Sequence, residues 1–323
     1  MSDEVTPPSV CRIPGWHGFA VKFSPFNADL VVCAGNQNYG IQGRGALLVL
    51  TRGRDRQFRV LNTIVHHDAL FDFSFSEVDP NVVCAASADG HLIIFHLLHA
   101  HPVAVIKAHS REISSVQWNP TRSSQNVLSS SWDGTINLVD PSRQAVLRSF
   151  KFHSSYVYDA VWAPRNPNSF CSASGDGAVG VWDLRAERPQ ICLSVSPAEV
   201  LSVDWSAYDP ALLSAGSVDN LVSTWDIRKP SEALHRFPHR MAVKKVRFNP
   251  FLGHMLASVS YDFTTQVYNL MRGSFARFKN HTEFVYGLDW SLRLQGEFAD
   301  CGWDQRVCVG RLPKRAELFS SVM

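Results

Sequence analysis

An all-β fold, a closed ring of seven four-stranded blades, is what this 323-residue sequence predicts. Three observations lead there. The stretch SASGDGAVGVWDLR (172–185) reads as two short alternating strands joined by an Asp-Gly turn, which is the pattern of a β-hairpin. The hairpin recurs as SADGHLIIFH (87–96), SWDGTINLVD (131–140), SVDNLVSTWD (217–226), SYDFTTQVYN (260–269) and GWDQRVCVGR (302–311). Its turn aspartates, Asp89, Asp133, Asp176, Asp219, Asp262 and Asp304, are therefore spaced by 44, 43, 43, 43 and 42 residues. Finally, an aromatic follows His66, His109, His153, His239 and His281 by nine residues, at Phe75, Trp118, Trp162, Phe248 and Trp290. Ser196 takes the histidine's place nine residues before Trp205.

A period of this length with Trp-Asp endings, as at Trp182-Asp183, belongs to the WD40 β-propeller. No stretch of helical period separates the strands, so helical and doubly wound folds are excluded. The chain has room for about seven such repeats. A formal net charge of +2 argues against a general nucleic-acid binder, which carries a basic excess on one face. The seven cysteines, an odd number without C-x-x-C spacing, read as buried thiols in a reducing compartment. MSDEVTPPSV at the start is neither a secretory nor a mitochondrial leader. No apolar run approaches the roughly 20 residues of a membrane span, and no membrane insertion is expected. The final Ser321-Val322-Met323 is not a C-terminal peroxisomal address.

Taken in order, residues 1–13 read as an N-terminal arm and 14–323 as the propeller, with a degenerate first blade at 14–60. Either 10–13 or 317–322 can supply the outer strand that closes the ring. In the first blade, 19–25 and 31–34 resemble the strands of other repeats, but GNQNYGIQGRG (35–45) replaces the turn. Its four glycines lack the following helix and the Gly-Lys-Ser/Thr of a phosphate cradle, so a shaped loop on the rim or face is expected. Blades two to seven follow near 61–100, 101–147, 148–190, 191–234, 235–275 and 276–323.

His153, Ser174, Asp176 and Trp182 have the residue types of a hydrolytic triad. The set partly repeats at His109, Ser131 and Asp133, and at Ser217, Asp219 and Trp225, whereas a catalytic triad is assembled once. These groups are expected to satisfy one another within a blade. The histidine-rich patch His66, His67, His91, His96, His99 and His101 is expected to lie outside the ring without a metal, and no cofactor is implied. WDLR (182–185) and WDIR (225–228) resemble the boxes of propellers that serve cullin-type ubiquitin ligases as substrate receptors, which is the alternative function; a local ion pair explains them as well.

In this architecture the histidine-bearing loops and the hairpin turns share one face. Positions three and five after each histidine, and the one before each turn aspartate, should ring the channel there. They are Ala69 and Phe71, Glu112 and Ser114, Tyr156 and Tyr158, Glu199 and Leu201, Ala242 and Lys244, Phe284 and Tyr286, with Ala88, Trp132, Gly175, Val218, Tyr261 and Trp303 before the aspartates. Asp68, Asp72, Asp159 and Glu283 are expected close by, and Arg240 beside Lys244 keeps the face from being uniformly acidic. Aromatics mixed with carboxylates suit a peptide with apolar and basic side chains. The candidate binding residues are Asp68, Asp72, Glu112, Trp132, Tyr156, Tyr158, Glu199, Tyr261, Phe284, Tyr286 and Trp303.

HGFAVKFSPF (17–26), NYGIQGRG (38–45), LFDFSFSE (70–77), SASGDG (172–177), EVLSVDW (199–205), VRFNPF (246–251), SYDF (260–263) and HTEFVYGLD (281–289) resemble, nearly end to end, the receptors for the type-2 peroxisomal targeting signal. The resemblance implies a non-enzymatic import receptor, cytoplasmic and cycling to the peroxisome. Such receptors bind an N-terminal nonapeptide of form Arg/Lys-Leu/Val/Ile-x5-His/Gln-Leu/Ala on cargo proteins. A co-receptor, the long form of the type-1 signal receptor or a fungal counterpart, helps deliver cargo to the peroxisomal docking complex. In a helix, positions 1, 2, 8 and 9 of that signal fall largely on one side. Asp68, Asp72, Glu112 and Glu199 would then meet its basic group, and Trp132, Tyr156, Phe284 and Trp303 its apolar ones. Ser196, Gly310-Arg311 and Asp159 depart from the family pattern; the first two bear on blade stability, the third on cargo preference.

Overall fold

The computed structural model describes residues 8–312 and 320–321, and forms seven antiparallel sheets arranged as the blades of a propeller. Blade one consists of His17–Phe23, Leu30–Asn36, Gly45–Arg52 and Phe58–His66. The inner strands of blades two to seven are Leu70–Phe75, Ile113–Trp118, Val157–Trp162, Val200–Trp205, Val243–Phe248 and Val285–Trp290. Each blade's outer strand lies at the start of the next sequence repeat, so the first blade runs to His66 rather than ending at 60. The repeat read from the turns and the blade built in space are therefore offset by one strand.

Ring closure falls to the N-terminus. Ser9–Arg12 pairs antiparallel with Arg306–Arg311 and completes blade seven. Ser9 Oγ also accepts the Phe58 N–H at 2.9 Å, tying that strand to blade one. Of the C-terminal alternative, 317–319 and 322 lie outside the described residues, and Ser320–Ser321 pairs instead with Ser274–Phe278 as a fifth strand of blade six.

Alternation along the strands buries one row of side chains on each blade face, and the core lies in seven wedges between neighbouring blades. Phe73 and Ile93 pack between blades one and two, for example, while Ile13 and Cys11 pack where blade seven meets blade one. Six of the seven free cysteines are buried; Cys192 is exposed. Among the described residues no helix is long and apolar enough to cross a membrane.

The triad-like residues are structural. In blade four, Trp182 Nε1–H donates to Ser172 Oγ at 2.9 Å, Ser172 Oγ meets His153 Nε2 at 2.8 Å, and His153 Nδ1–H donates to Asp176 at 2.9 Å. The serine in this relay is Ser172, not Ser174: Ser174 Oγ accepts the Asp176 N–H and so shapes the turn. Blade six repeats the relay through Tyr268, Ser258, His239 and Asp262. In blade three, His109 bridges Ser129 and Asp133, and in blade five Ser196 donates to Asp219 directly. Blade seven places Asp300 where the serine stands elsewhere. His281 then donates from both nitrogens, to Asp300 at 3.0 Å and Asp304 at 2.8 Å. Burial would lower the pKa of His281, but these carboxylates hold it well above the imidazole range.

Asp133, Asp176, Asp262 and Asp304 are likewise held below the ordinary carboxylate range: burial alone would raise them, and the imidazole and backbone hydrogen bonds outweigh it. A depressed carboxylate stabilises the fold above its unfolded pKa of about 3.9 and loses that contribution as pH falls through the lower folded value. Stability should therefore drop with pH below about 4, and His239→Ala, by removing the partner of Asp262, should flatten that dependence while costing roughly 1–3 kcal/mol at neutral pH; urea midpoints at pH 7 and pH 3.5 measure both. Ile13, fully buried at the closure, predicts a second loss: Ile13→Ala should cost about 2–5 kcal/mol in the same titration.

Candidate functional site

Every inner strand carries one irregularity in the same place. Its pairing with the second strand slips by a residue, and the residues skipped are Phe19, Phe71, Ser114, Tyr158, Leu201, Lys244 and Tyr286. A bulge of this kind leaves one residue unpaired and re-aims its side chain. All seven line a single cavity of about 380 Å³ at the mouth of the channel. This is the lower part of the size range in which small ligands and side chains are held.

The rest of the cavity wall comes from the turns and from the first-blade loop. Trp132, Val218, Tyr261 and Trp303, each preceding a turn aspartate, contribute, as does Glu199. Instead of a hairpin turn, blade one supplies Tyr39, Gly40 and Ile41. The loop reaches the mouth through left-handed residues, with φ of 44° at Asn38, 59° at Tyr39 and 73° at Gly40. A Cβ on Gly40 would stand 2.9 Å from the Phe19 ring, so glycine lets the loop lie on that ring. Tyr39 then stacks on His17 at 3.9 Å and reaches Trp303 at 5.2 Å.

Aromatic rings form a continuous arc around most of the mouth. From Tyr158 it passes to Tyr156 (6.3 Å between centroids), Trp132 (5.7 Å), Phe71 (6.1 Å), Phe19 (5.6 Å) and Tyr286 (4.9 Å). Beyond Tyr286 lie Trp303 at 4.9 Å and Tyr261 at 5.3 Å, and Phe284 packs on Tyr261 at 4.7 Å. Blades five and six interrupt the arc with Glu199, Leu201, Val218 and Lys244. Tyr158 Oη–H donates to Glu199 at 3.0 Å, and Lys244 Nζ lies 5.1 Å from the centre of the Tyr286 ring. Burial, reinforced by neighbouring Lys245, lowers the Lys244 pKa to about 8. Burial and the Glu199 charge push the Tyr158 phenol upward.

The expected carboxylates are not all at the surface. Asp72 is 5% exposed, pairs with Lys22 at 3.0 Å and accepts the Val116 N–H at 3.1 Å. Asp159 is 1% exposed, held by Lys245 at 2.9 Å and Ser202 at 2.9 Å, and lies at about pKa 2: burial opposes ionisation, and Lys245 and Arg247 overcome it. Both sit one residue past the bulge, where side chains turn into the channel wall and toward the next blade. Neither is free to meet a ligand at the face; the expectation of direct contact is corrected for Asp72, and Asp159, expected close by, lies in the wall beneath. Glu112 is half-buried and 3.5 Å from Arg111, whose guanidinium lies over Tyr156. Asp68, half-buried, accepts the Ala69 N–H, while its carbonyl accepts the Gly45 N–H below the first-blade loop. Glu199 is the expected carboxylate that lines the cavity.

Phe19, Tyr39 and Ile41 belong to the cavity but not to the expected set. Phe19 carried a usable signal: Phe23 is the first-blade counterpart of the periodic aromatic, so Pro14 stands in the histidine's place and Phe19 falls five residues after it. Below the mouth the passage narrows to a pocket of about 30 Å³ flanked by Lys22, Asp72 and Lys245. The arginines of the two Trp-Asp boxes fold back onto their own aspartates, Arg185 to Asp183 at 2.6 Å and Arg228 to Asp226 at 2.7 Å, the local ion pairs that compete with a ligase-docking reading.

Comparison with known proteins agrees with this architecture. Residues 100–140 and 144–183 match the family "WD domain, G-beta repeat". The chain is 48% identical over 302 residues to the peroxisomal targeting signal 2 receptor of Mus musculus, covering 92% of this chain and 95% of that protein. It is 42% identical over 307 residues to "Peroxisome biogenesis protein 7" of Arabidopsis thaliana, covering 91% and 95%. With the peroxisomal targeting signal 2 receptor of Saccharomyces cerevisiae it shares 29% identity over 367 residues, covering 92% and 98%. Identity of this extent over nearly the whole ring places it: the chain belongs to the family of peroxisomal targeting signal 2 receptors.

Proposed function

We propose that the protein is an import receptor that binds the amphipathic, helical N-terminal type-2 signal of peroxisomal cargo at the channel mouth, and that it delivers this cargo, together with a co-receptor, to the peroxisomal docking complex. In this reading it works in the cytoplasm and cycles to the peroxisome. The observation that carries the proposal is the single cavity built by seven bulge side chains and flanked by an aromatic arc with one carboxylate, Glu199, in its gap. Its volume of about 380 Å³ suits a few apolar side chains rather than a whole helix. The signal helix would therefore lie across the mouth and insert its apolar side, since the narrow passage beneath leaves no room to thread it.

The arc accounts for the apolar positions. Trp132, Tyr156, Tyr261, Phe284, Tyr286 and Trp303 present large rigid surfaces whose burial against a ligand costs little side-chain entropy. Glu199 gives the basic first residue of the signal a partially desolvated partner, while Asp68 and Glu112 act at the rim, where charge steers approach more than it fixes affinity. Lys244, half-buried at the gap, disfavours a cationic group beside blade six and so favours one orientation of the helix.

Anisotropy of a fluorescent type-2 signal peptide, with and without co-receptor, measures the interaction. Replacing the peptide's basic first residue by Glu should abolish binding. Trp132→Ala should weaken it by about 2 kcal/mol or more, and Glu199→Gln should weaken the native peptide by about 1–3 kcal/mol while leaving a peptide with a neutral first residue unchanged. Equal affinity for the native and Glu-substituted peptides would overturn the charge assignment, and full affinity in Trp132→Ala would overturn the arc.

A further inference from the structure

Blade two has the histidine but lacks the relay seen in blades three, four, six and seven. Ala85 occupies the place that Ser172 holds in blade four, and His66 reaches no nearer hydroxyl than Ser87, at 3.4 Å. His109, His153, His239 and His281 each have Nδ1 at 2.8–3.3 Å from the turn aspartate of the same repeat. In blade two the turn aspartate is approached by two other imidazoles instead. His67 Nε2 lies 3.4 Å and His91 Nδ1 3.1 Å from Asp89 Oδ2. The His91 Nδ1 atom is shielded from solvent and, although 3.1 Å from Asp89, is not aligned for a hydrogen bond to any described residue. The His66 and His67 rings are 4.1 Å apart, and ligand atoms of His66, His67 and Asp89 all lie within 4.8 Å of one another.

We propose that His66, His67, Asp89 and His91 form a binding site for a borderline divalent transition ion, Zn2+ in particular, that clamps blade one to blade two. The donor set, three imidazoles and one carboxylate, is one that Zn2+ accepts in four-coordinate geometry. Bonds of about 2.1 Å require donors roughly 3.4 Å apart, so the cluster must contract. His67, with a side chain 73% exposed, is free to swing inward. His96 and His99 take no part: they pack edge to face with centroids 4.3 Å apart, at the far end of the strand that His91 begins. The second cluster of potential ligands, His281, Asp300 and Cys308, differs in kind, because both nitrogens of His281 are already committed to carboxylates.

The position gives such an ion a structural consequence. His66 ends the outer strand of blade one opposite Gly45, and the Asp68 carbonyl holds the Gly45 N–H at 3.0 Å. An ion on Asp89 and His91 would fasten this corner to the turn of blade two, directly beneath the loop that carries Tyr39 and Ile41 to the mouth. It would replace with metal bonds the serine relay that Ala85 removes.

The test is titration of the metal-free full chain with Zn2+ against a chromophoric chelator, together with Co2+ absorption and thermal melting. One equivalent of Zn2+ should bind, raise the melting temperature, and be mimicked by Co2+ with tetrahedral visible bands and no thiolate charge-transfer band. His67→Gln and His91→Gln should each weaken binding by about tenfold or more and abolish the thermal shift; both side chains reach solvent, and circular dichroism confirms that the variants fold. Cys192→Ser and Cys308→Ser should bind as the native chain does. Absence of a stoichiometric equivalent, undiminished binding in His67→Gln, or a charge-transfer band lost in either cysteine variant would overturn the proposal.

Discussion

Seven inner strands converge on one axis without forming a backbone ladder between blades, and the N–H groups that face a neighbour must still find acceptors. Into blades three to six and into blade one, side chains of the preceding blade supply them. Asp72 and Ser74 accept from Val116 and Trp118, Ser115 and Gln117 from Ala160 and Trp162, Ser202 and Asp204 from Val246 and Phe248. At the joint of blades seven and one, Asp289 accepts from Phe23 at 2.9 Å. The stitching requires polar, often charged, residues at the axis. Lys22, Lys245 and Arg247 balance the carboxylates among them. Where the balance thins, ionisation suffers: burial raises Asp289 to about pKa 6 in spite of its backbone bond and nearby cations.

This arrangement divides the inner strand between two tasks. Residues past the bulge are committed to the wall, whereas the bulged residue itself is released from pairing and points to the mouth. A polar, self-satisfied channel and an apolar, unsatisfied face thus arise from adjacent positions. The aromatic arc can be large because it has no part in holding neighbouring backbones together, and Glu199 can remain half-buried at the mouth with a single phenolic donor.

The repeat was legible because hairpin turns leave a local mark: an Asp whose carboxylate caps its own turn, as Asp176 does for the Ala178 N–H. The ring of face positions was legible too, since it sits at fixed offsets from the histidines. What the sequence hid was the one-residue slip. An alternating pattern reads Phe71 and Asp72 as opposite faces of a regular strand, and nothing in LFDF marks which of them the bulge frees. Asp72 and Asp159 therefore looked available when both are locked in ion pairs. The choice of closing strand was equally hidden, because short apolar segments at both ends satisfy the same pairing rule, and only the wedge around Cys11 and Ile13 distinguishes them. In the first blade, left-handed backbone at Asn38 and Tyr39, residues other than glycine, builds the loop and escapes a reading based on glycine alone.

The central claim is that the ligand lies on the mouth, against the arc and its gap, rather than on the rim of the blades. Site-specific photo-crosslinking tests it most directly, with a benzophenone side chain at Val218, which lines the mouth, or at Leu147, which is exposed on the outer strand of blade three. The account predicts that a type-2 signal peptide crosslinks efficiently from position 218 and not from position 147; crosslinking from 147 with none from 218 would contradict it.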